Sequence, residues 1–393
     1  VRILHTADWH VGRMLRGRSR IEEHEAVLGE VVRVARDRAV DLVLVAGDLF
    51  DAAAPPPEAE RVVYRALLDL AETAPVVVVA GNHDSDRRLA AVAPLLERVK
   101  VFTRAHVARP EAGGVLEVAT RSGEVARVAC LPFLSQRYVV RACDLMALGA
   151  DEAAQRYDGR IRRIVAALTD GMGGGTVNLL VAHLFVAGAE PAGGERAAHV
   201  AAEYAVSPAA FGPHLSYVAL GHLHRLQRVP AACPVWYAGS PLQLDFGEET
   251  NRPGVLLVEV SPGLPARVEA VPLGAGRRLV TVCGRLDELR RMAGTVQGAW
   301  LRVVVREPRR PDLAEEVRRL LPEAVEVLVE APRRAEGPAR AARTEASPGE
   351  LFRAYLREQG ACDDRVAALF DTLYEAVLAE ERSGGLAGSR GRG

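Results

Sequence analysis

Apolar residues along this chain follow two different periods. Five runs are short, nearly unbroken and rich in β-branched side chains, at residues 1–6, 41–46, 76–80, 177–182 and 217–220. Runs of that length and composition predict buried strands. Between them the spacing lengthens. Ile21, Val27, Leu28, Val31, Val32, Val34 and Ala35 recur at helical intervals over residues 21–39, and a second helical pattern covers residues 58–73 behind Pro55, Pro56 and Pro57. Later strands are predicted at 125–131, 177–184, 217–222, 235–238 and 255–260. Strands alternating with helices, followed by a series of strands, predict an α/β (α+β) fold of two packed sheets flanked by helices.

The texture changes near residue 273. Strand patterns at 279–282, 300–305 and 325–329 alternate with helical patterns at 286–292 and 313–321, a small β-α-β-α-β unit without clustered ligand-type residues. Residues 333–346 are polar, contain glycine and proline, and lack an apolar period, which predicts a linker. Ser347, Pro348 and Glu350 form a capping-box signature for a helix, and a second helix follows with Val366, Leu369, Phe370, Leu373, Tyr374, Val377 and Leu378 on one face. Two short amphipathic helices beyond a linker cannot bury such a face alone, so they fold back or dock on a partner. The boundaries are therefore 1–272, 273–332, 333–346, 347–383 and a polar, glycine-rich tail, expected to be disordered, at 384–393.

Length and composition bound this picture. A chain of 393 residues is long enough for two or three domains. With 49% hydrophobic residues but no apolar stretch approaching the roughly 18 to 20 residues of a membrane helix, the reading is a non-membrane, cytoplasmic protein, consistent with a first strand preceded by no leader. Cys130, Cys143, Cys233, Cys283 and Cys362 are scattered and are expected to be buried thiols. The formal net charge of −1 excludes a uniformly basic nucleic-acid surface, and Lys100 is the sole lysine, so basic chemistry here means arginine.

The chemistry sits at the ends of the five runs: Asp8-Trp9-His10, Gly47-Asp48, Gly81-Asn82-His83-Asp84, His183, and Gly221-His222-Leu223-His224. Loops leaving the carboxyl ends of strands in an open α/β sheet converge on one edge, so these five runs describe one site. Oxygen and imidazole donors without thiolate suit manganese, iron or zinc, and a shared carboxylate, expected to be Asp48, can hold two cations about 3.5 to 4 Å apart for phosphodiester hydrolysis. Glycine at 47, 81 and 221 permits sharp turns and close approach. Each run alone has an ordinary reading as a turn or a satisfied histidine; five in order, each after a strand, do not.

The ordered set resembles the calcineurin-like metallophosphoesterase superfamily and, within it, the bacterial SbcD exonuclease family. The narrower resemblance rests on Gly47-Asp48-Leu49-Phe50-Asp51 before the prolines 55 to 57, on residues 239–246 (Gly-Ser-Pro-Leu-Gln-Leu-Asp-Phe) and on residues 347–352 (Ser-Pro-Gly-Glu-Leu-Phe). It implies a four-layer αββα sandwich at 1–272, a capping domain at 273–332, and a helical segment at 347–383 that grips an SbcC-type ABC ATPase, with Leu351, Phe352, Tyr355, Leu369, Phe370 and Leu373 as its contacts. It also implies two divalent ions, manganese, with Asp8, His10 and His224 on one, Asn82, His183 and His222 on the other, and Asp48 bridging. His83 then faces the scissile phosphate and Asp84 orients its imidazole. Asp51 stands where some relatives carry a further histidine and is expected either to steer a ligand or to cap the next helix. The implied activity is a DNA nuclease acting on double-stranded ends, hairpins and single strands, two copies with two ATPase chains, in a DNA-repair complex.

Arg13, Arg16, Arg18 and Arg20 follow Asp8-Trp9-His10 and are candidates to hold a DNA backbone over the metals, with Arg87 and Arg88 a weaker case. Trp9 is expected in the core. The alternative activity is a small-molecule or phosphoprotein metallophosphoesterase. Phosphoprotein phosphatases typically place Arg-Gly after the second motif and end the third in Glu, where this chain has Ala52-Ala53 and Asp84. A scaffold with a dead site is disfavoured because every expected ligand is present.

Overall fold

The computed structural model describes residues 1–121, 123–146, 157–195 and 204–330, together with 352–353, 355–357 and 365–374. The chain divides into two units, Val1–Glu330 and Ala331–Gly393. In the first, the elements run β1 (Arg2–Thr6), α1 (Ile21–Asp37), β2 (Leu42–Val45), α2 (Pro57–Ala71), β3 (Val76–Val79), α3 (Asp86–Glu97), β4 (Val101–Arg104), β5 (Val115–Ala119), β6 (Val125–Leu131), α4 (Gln136–Leu145), α5 (Tyr157–Thr169), β7 (Val177–His183), β8 (Tyr217–Gly221), β9 (Gln227–Val229), β10 (Val235–Tyr237), β11 (Gly254–Glu259) and β12 (Arg267–Pro272). The unit closes with β13 (Leu279–Gly284), α6 (Leu286–Met292), β14 (Trp300–Val305), α7 (Leu313–Leu320) and β15 (Ala324–Val329).

Two six-stranded sheets carry the fold, one in the order β12-β11-β1-β2-β3-β4 and one in the order β5-β6-β7-β8-β10-β9. Their near-continuous apolar strands are explained by burial on both faces. Alternate residues go to opposite sides: Ile3, Leu42, Leu44, Val77 and Val79 join Val128, Cys130, Leu179, Val181 and Ala219 in one core between the sheets. Leu4, Val43, Val45, Val76 and Val78 instead meet Val27, Leu28, Val31, Val63 and Leu67 of α1 and α2. On the second sheet, Leu180, Ala182, Val218 and Leu220 meet Val139, Ile161, Ile164 and Leu168 of α4 and α5. This is the αββα sandwich, and Trp9 lies fully buried in its first outer core.

Parallel register brings the strand ends level. Thr6 pairs with Val45, Val45 with Val78, and His183 with Gly221. The β-α-β-α-β unit forms as expected, a parallel sheet in the order β13-β14-β15 with its own core of Leu289, Leu301, Val303, Val305, Leu313 and Val317. Leu15, Phe246 and Leu279 form a separate small cluster against Trp300 and Val325 where this unit meets the sandwich.

Two expectations are corrected. Cys130, Cys143 and Cys233 are buried, but Cys283 is exposed because its side chain points off the solvent face of β13. Asp51 does not cap the next helix: α2 begins at Pro57 with Pro56 at its N-cap. Among the described residues no helix is long and apolar enough to cross a membrane. In the second unit Phe352 stacks on Phe370 with ring centroids 4.2 Å apart. Leu351, Cys362, the expected linker, the Ser347 capping box and the tail lie outside the described residues.

Candidate metal centre

The loops after β1 and β2 run side by side, tied by backbone bonds from Asp8 N to Gly47 O, His10 N to Asp48 O and Val11 N to Leu49 O, each 3.0 Å. That pairing holds unusual backbone. Asp8, His10 and Asp48 adopt left-handed φ values of 52°, 47° and 52°, and His222 has φ 106°. Positive φ is costly for residues other than glycine and persists where surrounding structure over-determines it. Here the carboxylates help: Asp8 accepts from His222 N at 2.9 Å and Asp48 from His83 N at 2.8 Å. Gly81 is required beside them, since a Cβ there would lie 2.1 Å from Asp48 Oδ1.

All seven predicted ligands converge. Asp8, His10 and His224 form one group with donor atoms within 4.8 Å of one another; Asp8, Asp48 and His183 form a second, and His10, Asp48 and His83 a third. Asn82 Oδ1 lies 2.9 Å from both His183 Nε2 and His222 Nδ1, and those two nitrogens are 3.3 Å apart. Asp48 Oδ2 stands between the halves, 3.5 Å from His10 Nε2 and 3.4 Å from His183 Nε2.

The donor set fits cations. Buried polar atoms are nearly always satisfied, yet neither ring nitrogen of buried His10 has a hydrogen-bond partner. His183 Nδ1 donates to the Ala46 carbonyl at 2.8 Å and His224 Nδ1 to Glu248 Oε1 at 2.7 Å. Each bond occupies Nδ1 and turns Nε2 into the centre, the arrangement a metal-binding imidazole needs once a cation displaces the Nε2 proton.

Electrostatics agree. Burial pushes the Asp8 carboxyl up to about 7, whereas Asp48, equally buried, is held well below the usual carboxylate range by His183, His10 and His83. Burial depresses His10 to about 4. It also opposes charge on His183 and His224, but Asp48 and Asp8 around the first and Glu248 and Asp8 around the second raise both to about 9. Buried carboxylates at this density need positive charge beside them.

His83 lies against the same cluster, its ring centroid 4.6 Å from that of His10. Asp84 was expected to orient this ring and is instead committed to backbone. Its two oxygens accept from Phe50 N at 3.1 Å and Gly81 N at 2.9 Å, while His83 Nδ1 donates to the Asp51 carbonyl at 2.7 Å. Asp51 thus meets His83 through its carbonyl, and its carboxylate stands 3.2 Å from Arg13 Nη1 and 3.5 Å from His10 Nδ1.

The arginine cluster separates. Arg18 is exposed and Arg13 is half-buried. Arg20 is corrected: it is buried, donates to Glu23 through Nε at 3.1 Å and Nη2 at 2.8 Å, and reaches the Gln243 carbonyl, so it cannot meet a nucleic-acid backbone. Arg16 likewise turns to Asp245 and Glu326, each at 2.9 Å. Arg88 pairs with Glu60. Sequence reasoning missed Glu248 and Glu195, the carboxylates behind His224. Glu195 Oε1 accepts from His224 N at 3.0 Å. A cavity of 340 Å³ opens beside the centre, lined among others by Asn82, Asp84, His106, Phe133, Tyr138 and Arg141.

A family profile for calcineurin-like phosphoesterases matches residues 1–226. The SbcD component of nuclease SbcCD from Bacillus subtilis is 34% identical over 334 residues, 81% of this chain and 82% of that protein. The chain belongs to the SbcD family of nucleases. Other members are SbcD of Rhodobacter capsulatus, 37% identical over 69% of each chain, and SbcD of Escherichia coli K12, 31% identical over 78% of this chain and 76% of that one. A profile described as the Type 5 capsule protein repressor C-terminal domain matches residues 275–360. A solved structure, a dimetal phosphatase from Danio rerio, aligns over 68% of this chain and 98% of that one at 12% identity with a TM-score of 0.40. Membership of the SbcD family makes this chain a metal-dependent phosphodiester hydrolase, a nuclease.

Proposed function

We propose that this chain is the nuclease component of an SbcCD-type DNA-repair complex and hydrolyses DNA with two manganese ions, as a double-strand exonuclease and a single-strand and hairpin endonuclease. The observation that carries the reading is the convergence of four histidines, two aspartates and Asn82 at one edge of both sheets, with His10 left without hydrogen-bond partners. Asp8, His10 and His224 would hold one ion and Asn82, His183 and His222 the other, with Asp48 shared between them. When bound, two such ions polarise the phosphate, activate water and stabilise the leaving oxygen.

The chain's own groups do the rest. With its Nδ1–H held by the Asp51 carbonyl, His83 would give its Nε2 proton to the leaving oxygen as the P–O bond breaks. Asp84 keeps the 81–84 turn rigid through two backbone N–H groups. Arg18, the exposed member of the arginine cluster that the structure leaves turned to solvent, holds the DNA backbone by charge-assisted contacts.

In the same reading residues 1–272 are the nuclease domain, 273–332 the capping domain, 333–346 a linker, 347–383 the segment that docks on an SbcC-type ATPase, and 384–393 a tail. Docking is supported by the apolar surface that Tyr355, Leu369 and Leu373 expose, at 54%, 58% and 58%. The assembly is two nuclease chains with two ATPase chains in the cytoplasm, at the nucleoid.

The test is manganese-dependent cleavage of linear, hairpin and single-stranded DNA beside an aryl phosphodiester, with and without the ATPase. Cleavage of all three DNAs is expected. Turnover of the aryl diester with no DNA cleavage overturns the reading in favour of a small-molecule phosphoesterase.

A further inference from the structure

We infer that Glu248 is the positioning residue for His224, and that residues 243–249 carry the placement of the β13–β15 unit to the metal centre. The inference rests on the reading of His224 as a metal ligand. Glu248 is fully buried at the end of a single 3-10 turn, Phe246–Glu248. One of its oxygens meets His224 Nδ1 at 2.7 Å and the other accepts from Leu244 N at 2.8 Å. A carboxylate can only accept here, so Nδ1 carries the proton and Nε2 faces Asp8 and His10.

A second observation shows how tightly this pair is enclosed. Gly194 passes so close that a Cβ on it would lie 1.8 Å from Glu248 Oε1 and 3.0 Å from His224 Nδ1. Glu195, next in the chain, locks the same loop by accepting from Ala192 N at 2.8 Å, Gly193 N at 2.8 Å and His224 N at 3.0 Å.

The other side of the segment grips β13. Gln243 Oε1 accepts from Leu279 N at 2.8 Å, while its amide donates to the carbonyls of Glu248, Glu249 and Asn251 at 3.1, 3.0 and 3.0 Å. Glu249 Oε2 accepts from Thr281 N at 3.0 Å. Phe246 packs with Leu15 and Leu279, and its ring centroid lies 4.6 Å from the Arg302 guanidinium and 5.8 Å from that of Arg16. Glu248 therefore stands between two residues fastened to β13, Gln243 and Glu249. Any displacement of that unit turns the carboxylate that aims His224.

Calorimetric titration of the full-length chain with manganese tests both steps, with circular dichroism as the check on folding. The wild type is expected to take up two ions. Glu248→Ala should weaken one of the two binding events by about 10- to 100-fold, the range for such supporting carboxylates. Glu248→Gln keeps an acceptor but loses its charge, so it should fall between alanine and wild type. Phe246→Ala, which removes the packing on Leu279 and Leu15 and leaves the Gln243 and Glu249 bonds to β13 in place, should weaken the same event several-fold. Wild-type binding in both Glu248 variants overturns the positioning role; if the alanine variant does not fold, wild-type affinity in Glu248→Gln does so alone. Weakened binding in Glu248→Ala with wild-type binding in Phe246→Ala overturns the coupling. A wild-type chain that takes up no manganese refutes the underlying ligand reading instead.

Discussion

Arg20→Ala separates two roles that neighbouring residues suggest for the same guanidinium. Its side chain has no exposed surface, while that of Glu23 is 12% exposed. Removing one member of a buried ion pair costs about 3 to 5 kcal/mol, because the other charge stays behind. Glu23 keeps two donors, Trp300 Nε1 at 2.7 Å and Arg277 N at 2.9 Å, which favours the lower end. The Gln243 carbonyl also loses its guanidinium donor, worth about 1 kcal/mol. We expect a loss of about 3 to 4 kcal/mol, and at about 2 °C per kcal/mol for a unit of this size a melting point lower by roughly 6 to 8 °C. Thermal unfolding followed by tryptophan fluorescence reads the shift, and a Glu23→Gln, Arg20→Ala double-mutant cycle isolates the pair. Duplex affinity of the folded variant should be unchanged. An unchanged melting point with tenfold weaker DNA binding would refute the assignment of Arg20 to the protein interior.

Gly81→Ala places a Cβ 2.1 Å from Asp48 Oδ1 and should lower manganese content at both sites by elemental analysis, whereas Gly173→Ala, with nothing within 4 Å, should not. Burial depresses His24 to about 4 from 6.5, so its neutral form is favoured in the fold; the full stability present above pH 6.5 is lost as pH falls toward 4, by about 3 kcal/mol. Urea midpoints measured from pH 7.5 to 4 should fall less steeply in His24→Leu, though not flatten, because buried His5, depressed to about 3, acts in the same direction. Arg18→Glu should weaken DNA binding and lower the salt-dependence slope by about 1, read by fluorescence anisotropy at several salt concentrations; an unchanged slope removes Arg18 from the interface.

The site was legible because its ligands sit at strand ends. Strands buried on both faces write themselves as β-branched runs; parallel register levels the ends that carry Asp8, Asp48 and Asn82 in one sheet and those that carry His183 and His222 in the other, and packing of the two sheets then brings the two sets together. Elements without such a stripe were not legible: α3 contains Pro94 and buries only Leu89 and Leu96 on its own length, β5 buries only Val118, and β12 buries no residue. Side-chain commitments across long sequence separations were hidden too. Arg16 looks like a phosphate contact until Asp245 and Glu326 arrive beside it. Asp84 looks like the partner of His83 until the Asp51 carbonyl takes that place. Glu248 is one of two acids in a turn, and only the folded chain brings it to His224, 24 residues away in sequence. Its available signal was position, directly after the 239–246 stretch that carries the family resemblance.

The central claim, that seven side chains hold two ions while His83 serves the substrate, is tested most directly by His83→Gln. Metal-to-protein ratio and manganese-dependent DNA cleavage are measured on the same preparation. Two ions retained with cleavage reduced by at least about 100-fold is the predicted result; full cleavage with His83 gone, or loss of metal together with activity, contradicts it.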